Sequence, residues 1–418
     1  MANNSRPTPR LSRDSQQWLF DWMIQETGKT FHYQTEGRGR LPRAVRRHAM
    51  ISKHMGRSAQ RMQRLAEEEA AAGHETTALA RYFDAATLYG HAQHPIFENN
   101  EEKKFLHSAS LECFAHVRRL APYRIEHVDF EWNGVTFSGN LHLCSTEEPA
   151  PCVLYIPGCD QTKEMHPNPL MNQALQRGMH LFSFDGPGQG ESNLRGVKLT
   201  ATNYEEAGSA AIDYLFTRPE IDAAKIGVYG FSYGSRWGMR LAARDSRVAA
   251  LAATLASFGE SYHLMDEESP RWKQLFMYLT GASSEAELDR IMAATSLRGV
   301  VKDIQCPTLA ASGEYDPRSP LEEVYELFDE LTCPAELWVF ADLHHALSLV
   351  RPNGEGGPIW QWDMHDMACD WLRDRFEGRS QVNRGRVLYI DPGVGGPYSP
   401  KTSEKRHWYE ADSRQAQV

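Results

Sequence analysis

The chain lacks any long apolar run. Its longest candidate, residues 248–258, is shorter than the ~18 residues a membrane-crossing helix needs, so no spanning helix is expected. Cysteine is sparse and unpatterned, with seven thiols at 113, 144, 152, 159, 306, 333 and 369 and no C-x-x-C pair. An odd, scattered set argues for reduced thiols rather than a disulfide framework. Positive charge is in deficit, 45 Lys and Arg against 55 Asp and Glu, and the net charge of -10 argues against general nucleic-acid or anionic-membrane binding. The opening Met1-Ala-Asn-Asn-Ser-Arg-Pro7 has no apolar core of the signal-peptide kind. These absences together lead us to expect a soluble, cytoplasmic protein.

One basic stretch, residues 38–64, runs against the overall charge. Wound as a helix, it puts Arg46, Lys53, Arg57, Arg61 and Arg64 on one stripe and Ile51, Met55, Met62 and Leu65 on the other. That is the pattern of a solvated or subunit-facing surface rather than of an anion site.

The length of 418 residues suits two domains. Residues 1–122 have helical grammar, with candidate helices at 15–27, 43–72, 76–91 and 98–120 separated by Pro42, Gly73 and Pro95. In the third, Leu79, Tyr82, Phe83, Ala86 and Tyr89 recur at helical spacing. From Tyr123 the grammar changes. Residues 124–132 and 135–143 alternate about Asn133-Gly134, a hairpin signal. Apolar strands at 152–156, 180–184, 225–229, 249–255, 308–312 and 336–340 then alternate with helices. This is an α/β pattern and implies a mostly parallel, doubly wound sheet. Residues 257–302 exceed a simple crossover and are expected to form a helical cap within a catalytic domain spanning 123–378. Residues 379–418 are polar and rich in Gly and Pro, the composition of an extended or disordered tail.

Gly230-Phe-Ser232-Tyr-Gly234 carries the chemistry. A strand before it and a helical pattern after it would hold Ser232 on a tight, strained turn with its hydroxyl exposed. The bare pattern arises by chance in roughly one chain of this length in seven, so its partners must carry the argument. A serine hydroxyl needs a base within reach and a carboxylate to orient that base. Asp316 stands in the turn after strand 308–312, and Glu314 is its rival closer to the strand end. The loop after strand 336–340 holds both His344 and His345; loop length favours His345 as the base, with His344 as the alternate. The backbone N–H groups of Tyr233 and Cys159 are the expected oxyanion donors. The Cys159 thiol itself fits small-hydrophobe packing. Asp185-Gly-Pro-Gly-Gln-Gly190 lacks the lysine of a phosphate-binding loop and fits a turn bracing the site. Adjacent histidines with no i+4 partner do not make a metal site, and no metal or cofactor is expected.

Taken in order, Asp185-Gly-Pro-Gly-Gln-Gly-Glu-Ser192, Gly-Phe-Ser232-Tyr-Gly, Asp316 and His345 resemble the α/β-hydrolase superfamily. Gly158-Cys-Asp-Gln-Thr-Lys-Glu164, Tyr82-Phe-Asp-Ala-Ala-Thr-Leu-Tyr89 and Glu102-Lys-Lys104 narrow the resemblance. They are similar to the group that contains the FrsA-type esterases, 2,6-dihydroxypseudooxynicotine hydrolase and the fungal yellowish-green pigment hydrolases. The likeness covers roughly residues 60–375. It implies a helical N-terminal domain folded over the site, a homodimer, a small-molecule substrate and, in several members, cleavage of a carbon–carbon bond beside a ketone. Such cleavage releases a carbanion and gains from an added acid. Glu260, Asp266 and Glu267 in the cap are candidates for it. Tyr262 and Tyr82 are candidates to bind substrate, with Tyr89, Phe258, Trp272 and Phe276 as further ring-bearing positions. A carboxylesterase, acyltransferase or cyclase would use the same triad. A catalytically silent fold is disfavoured because every expected catalytic position is filled.

Overall fold

A computed structural model of the chain describes residues 45–47, 50–255, 257–267, 271–345, 347–349, 360–361, 363–391 and 393–413. The helix expected at 15–27 lies outside them. The next three expected helices form, at Ile51–Ala71, Glu75–Gln93 and Glu101–Leu120. Asn100 caps the third, its side chain accepting the Lys103 N–H at 2.9 Å, with Glu101 and Glu102 favourably placed in the first turn. Small residues let the helices approach closely. A Cβ on Gly56 would stand 2.9 Å from Leu106. On the first helix Ile51, Met55, Ala59 and Ala66 turn inward, while Lys53, Arg57, Arg61 and Arg64 face solvent. The expected charged stripe is a solvated face, and Leu65 is exposed beside it.

The rest of the described chain builds a ten-stranded mixed sheet. Strands β1 (Ile125–Trp132) and β2 (Val135–His142) pair antiparallel about Asn133 and Gly134. Both turn residues have positive φ, 49° and 74°, as a type I′ turn demands. Strands β3 (Ala150–Ile156), β4 (His180–Phe184), β5 (Ile221–Phe231), β6 (Ala250–Thr254), β7 (Thr308–Gly313) and β8 (Ala335–Phe340) follow. A short pair, β9 (Ser348–Leu349) with β10 (Trp360–Gln361), stands apart, and β11 (Val387–Ile390) and β12 (Ser403–Glu404) complete the set. The order is β1-β2-β4-β3-β5-β6-β7-β8-β11-β12, and the pairings from β4 through β11 are parallel. Helices cover both faces, so the central strands are buried on both sides and mostly apolar; all five residues of β4 are buried, His180 and Ser183 included.

The tail departs from its expected character. Val387–Ile390 is not a disordered arm but a buried parallel strand against β8, Val387 opposite Leu337 and Ile390 opposite Phe340. Four apolar residues in a row meet the open edge of β8, which outweighs the Gly- and Pro-rich surroundings. The sheet therefore extends beyond residue 378.

The chain leaves β3 for β4 on one side and then crosses to β5 on the other. This reversal makes a switch point between β3 and β5, where α/β sheets open a crevice at their carboxyl ends. Ile156 and Gly230 are register partners there, so the loops after both strands emerge side by side.

Candidate active site

Ser232 follows β5 and precedes the helix Tyr233–Arg244, with φ 56° and ψ -126°. A non-glycine residue in that region is strained and persists only where its surroundings enforce it. Its N–H donates to the Thr254 carbonyl at 3.0 Å, and the flanking glycines permit very close packing. A Cβ on Gly234 would lie 2.1 Å from the Ile156 carbonyl oxygen, so no side chain fits.

Ser232 Oγ lies 2.7 Å from His345 Nε2, and His345 Nδ1 lies 2.6 Å from Asp316 Oδ2. The Asp316 side chain is fully buried and also accepts the Arg318 N–H at 2.9 Å. The rival carboxylate, Glu314, accepts the Asp342 N–H at 2.9 Å instead. His344 is exposed, with Nδ1 3.2 Å from the Tyr315 carbonyl.

The loop after β3 crosses directly over the serine. A Cβ on Gly158 would stand 3.3 Å from the Cβ of Ser232. Gln189 braces that loop from behind, donating to the Gly158 carbonyl at 2.8 Å, and Tyr204 donates to Gln189 at 2.7 Å. Tyr204 in turn stacks on Trp237 at 3.9 Å, tying the turn to the helix that follows Ser232. Cys159 is buried in the main core.

A charge cluster lies beneath this loop. Lys163, with no exposed surface, contacts Glu164 at 2.7 Å, Asp185 at 3.1 Å and Glu191 at 2.5 Å. Burial opposes ionisation of Asp185, but Lys163 and His107 outweigh it and hold the carboxyl below its usual range. His107, Asp185 and Glu191 are the one group among the described residues spaced to share a cation, their ligand atoms lying within 4.8 Å of one another. The Lys163 ammonium already supplies positive charge there. Pairing of residues 163, 185 and 191 was not visible in sequence, although each lay in a quoted motif.

The cap spans the stretch between β6 and β7, with a π-helical turn at His263–Glu267 and helices at Arg271–Thr280 and Glu285–Ala293. Its candidate acids are all paired. Glu260 meets Arg298 at 3.1 Å, Asp266 meets Lys273 at 2.6 Å and Glu267 meets His263 at 2.6 Å. Each is engaged by a neighbouring side chain rather than aimed at Ser232 in a hydrogen bond. Tyr262 packs on His263 with centroids 4.1 Å apart. Tyr82 is core: it is 2% exposed and stacks on His116 inside the helical domain. Tyr89, Phe258, Trp272 and Phe276 are buried as well. Phe276 nonetheless packs on Tyr233 at 4.7 Å, bringing the cap against the residue after Ser232. Arg236 locks that contact by donating to the carbonyls of Ser257 and Thr295 at 3.0 and 3.2 Å.

Lys103, named above only within Glu102-Lys-Lys104, was given no role by its sequence. It occupies the inward stripe of its helix with Leu106, His107, Ser110 and Cys113. A lysine on an apolar stripe was the available signal.

Residues 56–327 match the family model described as "Esterase FrsA-like". The chain belongs to the FrsA-like esterase family. The match contains Ser232 and Asp316 and ends before His345. Among curated relatives, the 2,6-dihydropseudooxynicotine hydrolase of Paenarthrobacter nicotinovorans is 30% identical over 266 residues, 63% of this chain and 70% of that one. Esterase FrsA of Yersinia enterocolitica is 24% identical over 255 residues, 58% of this chain and 60% of its own length. The solved 2,6-dihydroxy-pseudo-oxynicotine hydrolase superposes with a TM-score of 0.69 at 24% identity, covering 85% of this chain and 96% of that one. This FrsA-like protein therefore has the α/β-hydrolase fold with an N-terminal helical region, and it is a hydrolase of that class.

Proposed function

We propose that Ser232, His345 and Asp316 form a catalytic triad that cleaves a carbon–carbon bond beside a ketone in an aromatic or polyketide-like small molecule. The observation that carries the triad is the unbroken hydrogen-bonded line from Ser232 Oγ through His345 to Asp316, 2.7 and 2.6 Å. His345 takes the serine proton as Oγ attacks the carbonyl. Asp316 fixes the tautomer and stabilises the imidazolium. The backbone N–H groups of Tyr233 and Cys159 receive the oxyanion, a task for which the packing of Gly158 over Ser232 is suited. The carbon–carbon bond then breaks, its electron pair passing to a conjugated oxygen, and His345 returns the proton to carbon. Water hydrolyses the acyl-enzyme.

Likeness to a 2,6-dihydropseudooxynicotine hydrolase supports the carbon–carbon reading, and the name of the family model supports ester hydrolysis as the second. In either reading the enzyme works as a cytoplasmic homodimer, which sedimentation velocity tests. A fluorophosphonate probe is expected to label the wild type and not Ser232→Ala; equal labelling of both overturns the nucleophile. A panel of acyl-phenols, β-diketones and p-nitrophenyl esters, run on both proteins, separates the two readings. Turnover of the esters alone removes the carbon–carbon one.

A further inference from the structure

Between the helical domain, the cap and the loop after β3 lies a small cavity of about 40 Å³. Cys159, Gln161 and Gln189 line it from the catalytic domain, Tyr278 from the cap, and His94 and Lys103 from the helical domain. A wider groove of about 420 Å³ is lined by Phe97, Asn99, Lys198 and Met277. Tyr278 borders both spaces. Its ring centroid stands 4.2 Å from Lys103 Nζ and 4.9 Å from Lys198 Nζ, and its hydroxyl donates to Asn99 at 2.7 Å.

Lys103 is 7% exposed. Its ammonium donates to the carbonyls of Ile96 and Gln93 at 2.8 and 3.3 Å, and among the described residues no carboxylate forms an ion pair with it. Burying a charge without a counter-ion is expensive, and buried cations are ordinarily paired. Binding these carbonyls, one at the end of the helix Glu75–Gln93 and one just past it, uses two of the three donors, and neutral groups would serve that purpose without the charge. Burial first, then Lys198, lower the ammonium to about 7, whereas an anion in the cavity would restore the charged form.

Resting on the triad reading above, we infer that Lys103 is a substrate-recognition residue whose ammonium binds an acidic oxygen, phenol or enol, on the leaving side of the substrate. During cleavage the Ser232 Oγ–carbon bond forms and the carbon–carbon bond breaks. The substrate reacts in its keto form, a β-dicarbonyl or the dienone tautomer of the phenol, so the released electron pair passes onto that carbonyl oxygen and makes it an enolate or phenolate. Lys103 meets this oxyanion with a charge-assisted hydrogen bond, and His345 returns the serine proton to the leaving group. The helical domain thereby supplies the acidic-oxygen contact that the paired cap carboxylates do not. Lys198 at the groove adds positive charge along the approach.

The test is protection of Ser232 from a fluorophosphonate probe by resorcinol and by 1,3-dimethoxybenzene, which differ in the acidic oxygen. Resorcinol is expected to protect the wild type at a concentration at least about tenfold lower, the usual scale for a hydrogen bond to a charged group. Lys103→Met is expected to lose that preference and Lys103→Arg to keep part of it. A wild type that does not discriminate between the two compounds overturns the inference, and that comparison needs no variant to fold. A Lys103→Met protein that melts normally yet keeps the preference also overturns it. Failure of the triad reading is a different result, namely no labelling of Ser232 in the wild type.

Discussion

Two adjacent histidines, identical as chemistry, are separated by the turn that carries them. Asp342 has φ 58° and its N–H is held by Glu314 at 2.9 Å, so the chain twists before reaching His344. His344 then faces solvent and His345 faces Ser232. Replacing His345 with Ala is expected to lower kcat by at least about 10³-fold, as removal of a triad base does. His344→Ala should change it by less than about threefold, the scale of a surface substitution. Steady-state kinetics on the two variants decide the matter, and the reverse pattern would reassign the base. Ser232 was legible because the elbow needs glycines at fixed spacing. The choice between the histidines rested on loop length alone, because the left-handed twist at Asp342 leaves no mark in residue type. Glu314 and Asp316 are separated by the same loop: one carboxylate steadies the turn and the other meets His345.

Elements were legible where their pattern was long. Alternation and Asn133-Gly134 announced the β1–β2 hairpin, and the helix Arg271–Thr280 stands within residues 257–302, where a helical cap was expected. Strand β11 was not legible, because four apolar residues within Gly- and Pro-rich sequence carry no periodic signal of their own. Its existence depends on β8 offering an unpaired edge. The segment beyond it is tied down as well. Tyr398 meets Trp338 edge-on at 5.9 Å, and Arg406 pairs with Asp329, Nη1 to Oδ2 at 2.8 Å. Truncation after residue 378 should therefore be costly, since each large apolar side chain of β11 contributes about 1.5–3 kcal/mol by burial. The truncated protein is expected to melt at least about 5 °C lower or to aggregate. Calorimetry on both forms checks this, and equal melting temperatures would return the tail to the role of an appendage.

The whole molecule carries an acid sensitivity in histidines that packing keeps neutral. Burial lowers His107 to about 4, aided by Lys163, and lowers His142 to about 3 and His365 to about 4. These groups join the parts of the fold: His107 sits on the third helix against the Lys163 cluster, His142 on β2 within 3.2 Å of the Tyr123 hydroxyl, and His365 within 2.9 Å of the Tyr229 hydroxyl. An unfolded histidine binds its proton near pH ~6.5. Below that pH the unfolded chain holds more protons than the native one, so stability falls as pH drops. The loss continues until about pH 4 for His107 and His365 and about pH 3 for His142. Each histidine can contribute a slope of up to about 1.4 kcal/mol per pH unit. Glu164, whose carboxyl is raised mainly by burial, works against them, while Asp185 adds its own loss only as its depressed carboxyl protonates at still lower pH. The net expectation is a urea midpoint that declines steadily from pH 6.5 to 4.5. A His107→Gln variant, compared with its own value at pH 7, should decline less steeply. A midpoint that stays level across that interval would mean that these histidines are not kept neutral by the fold.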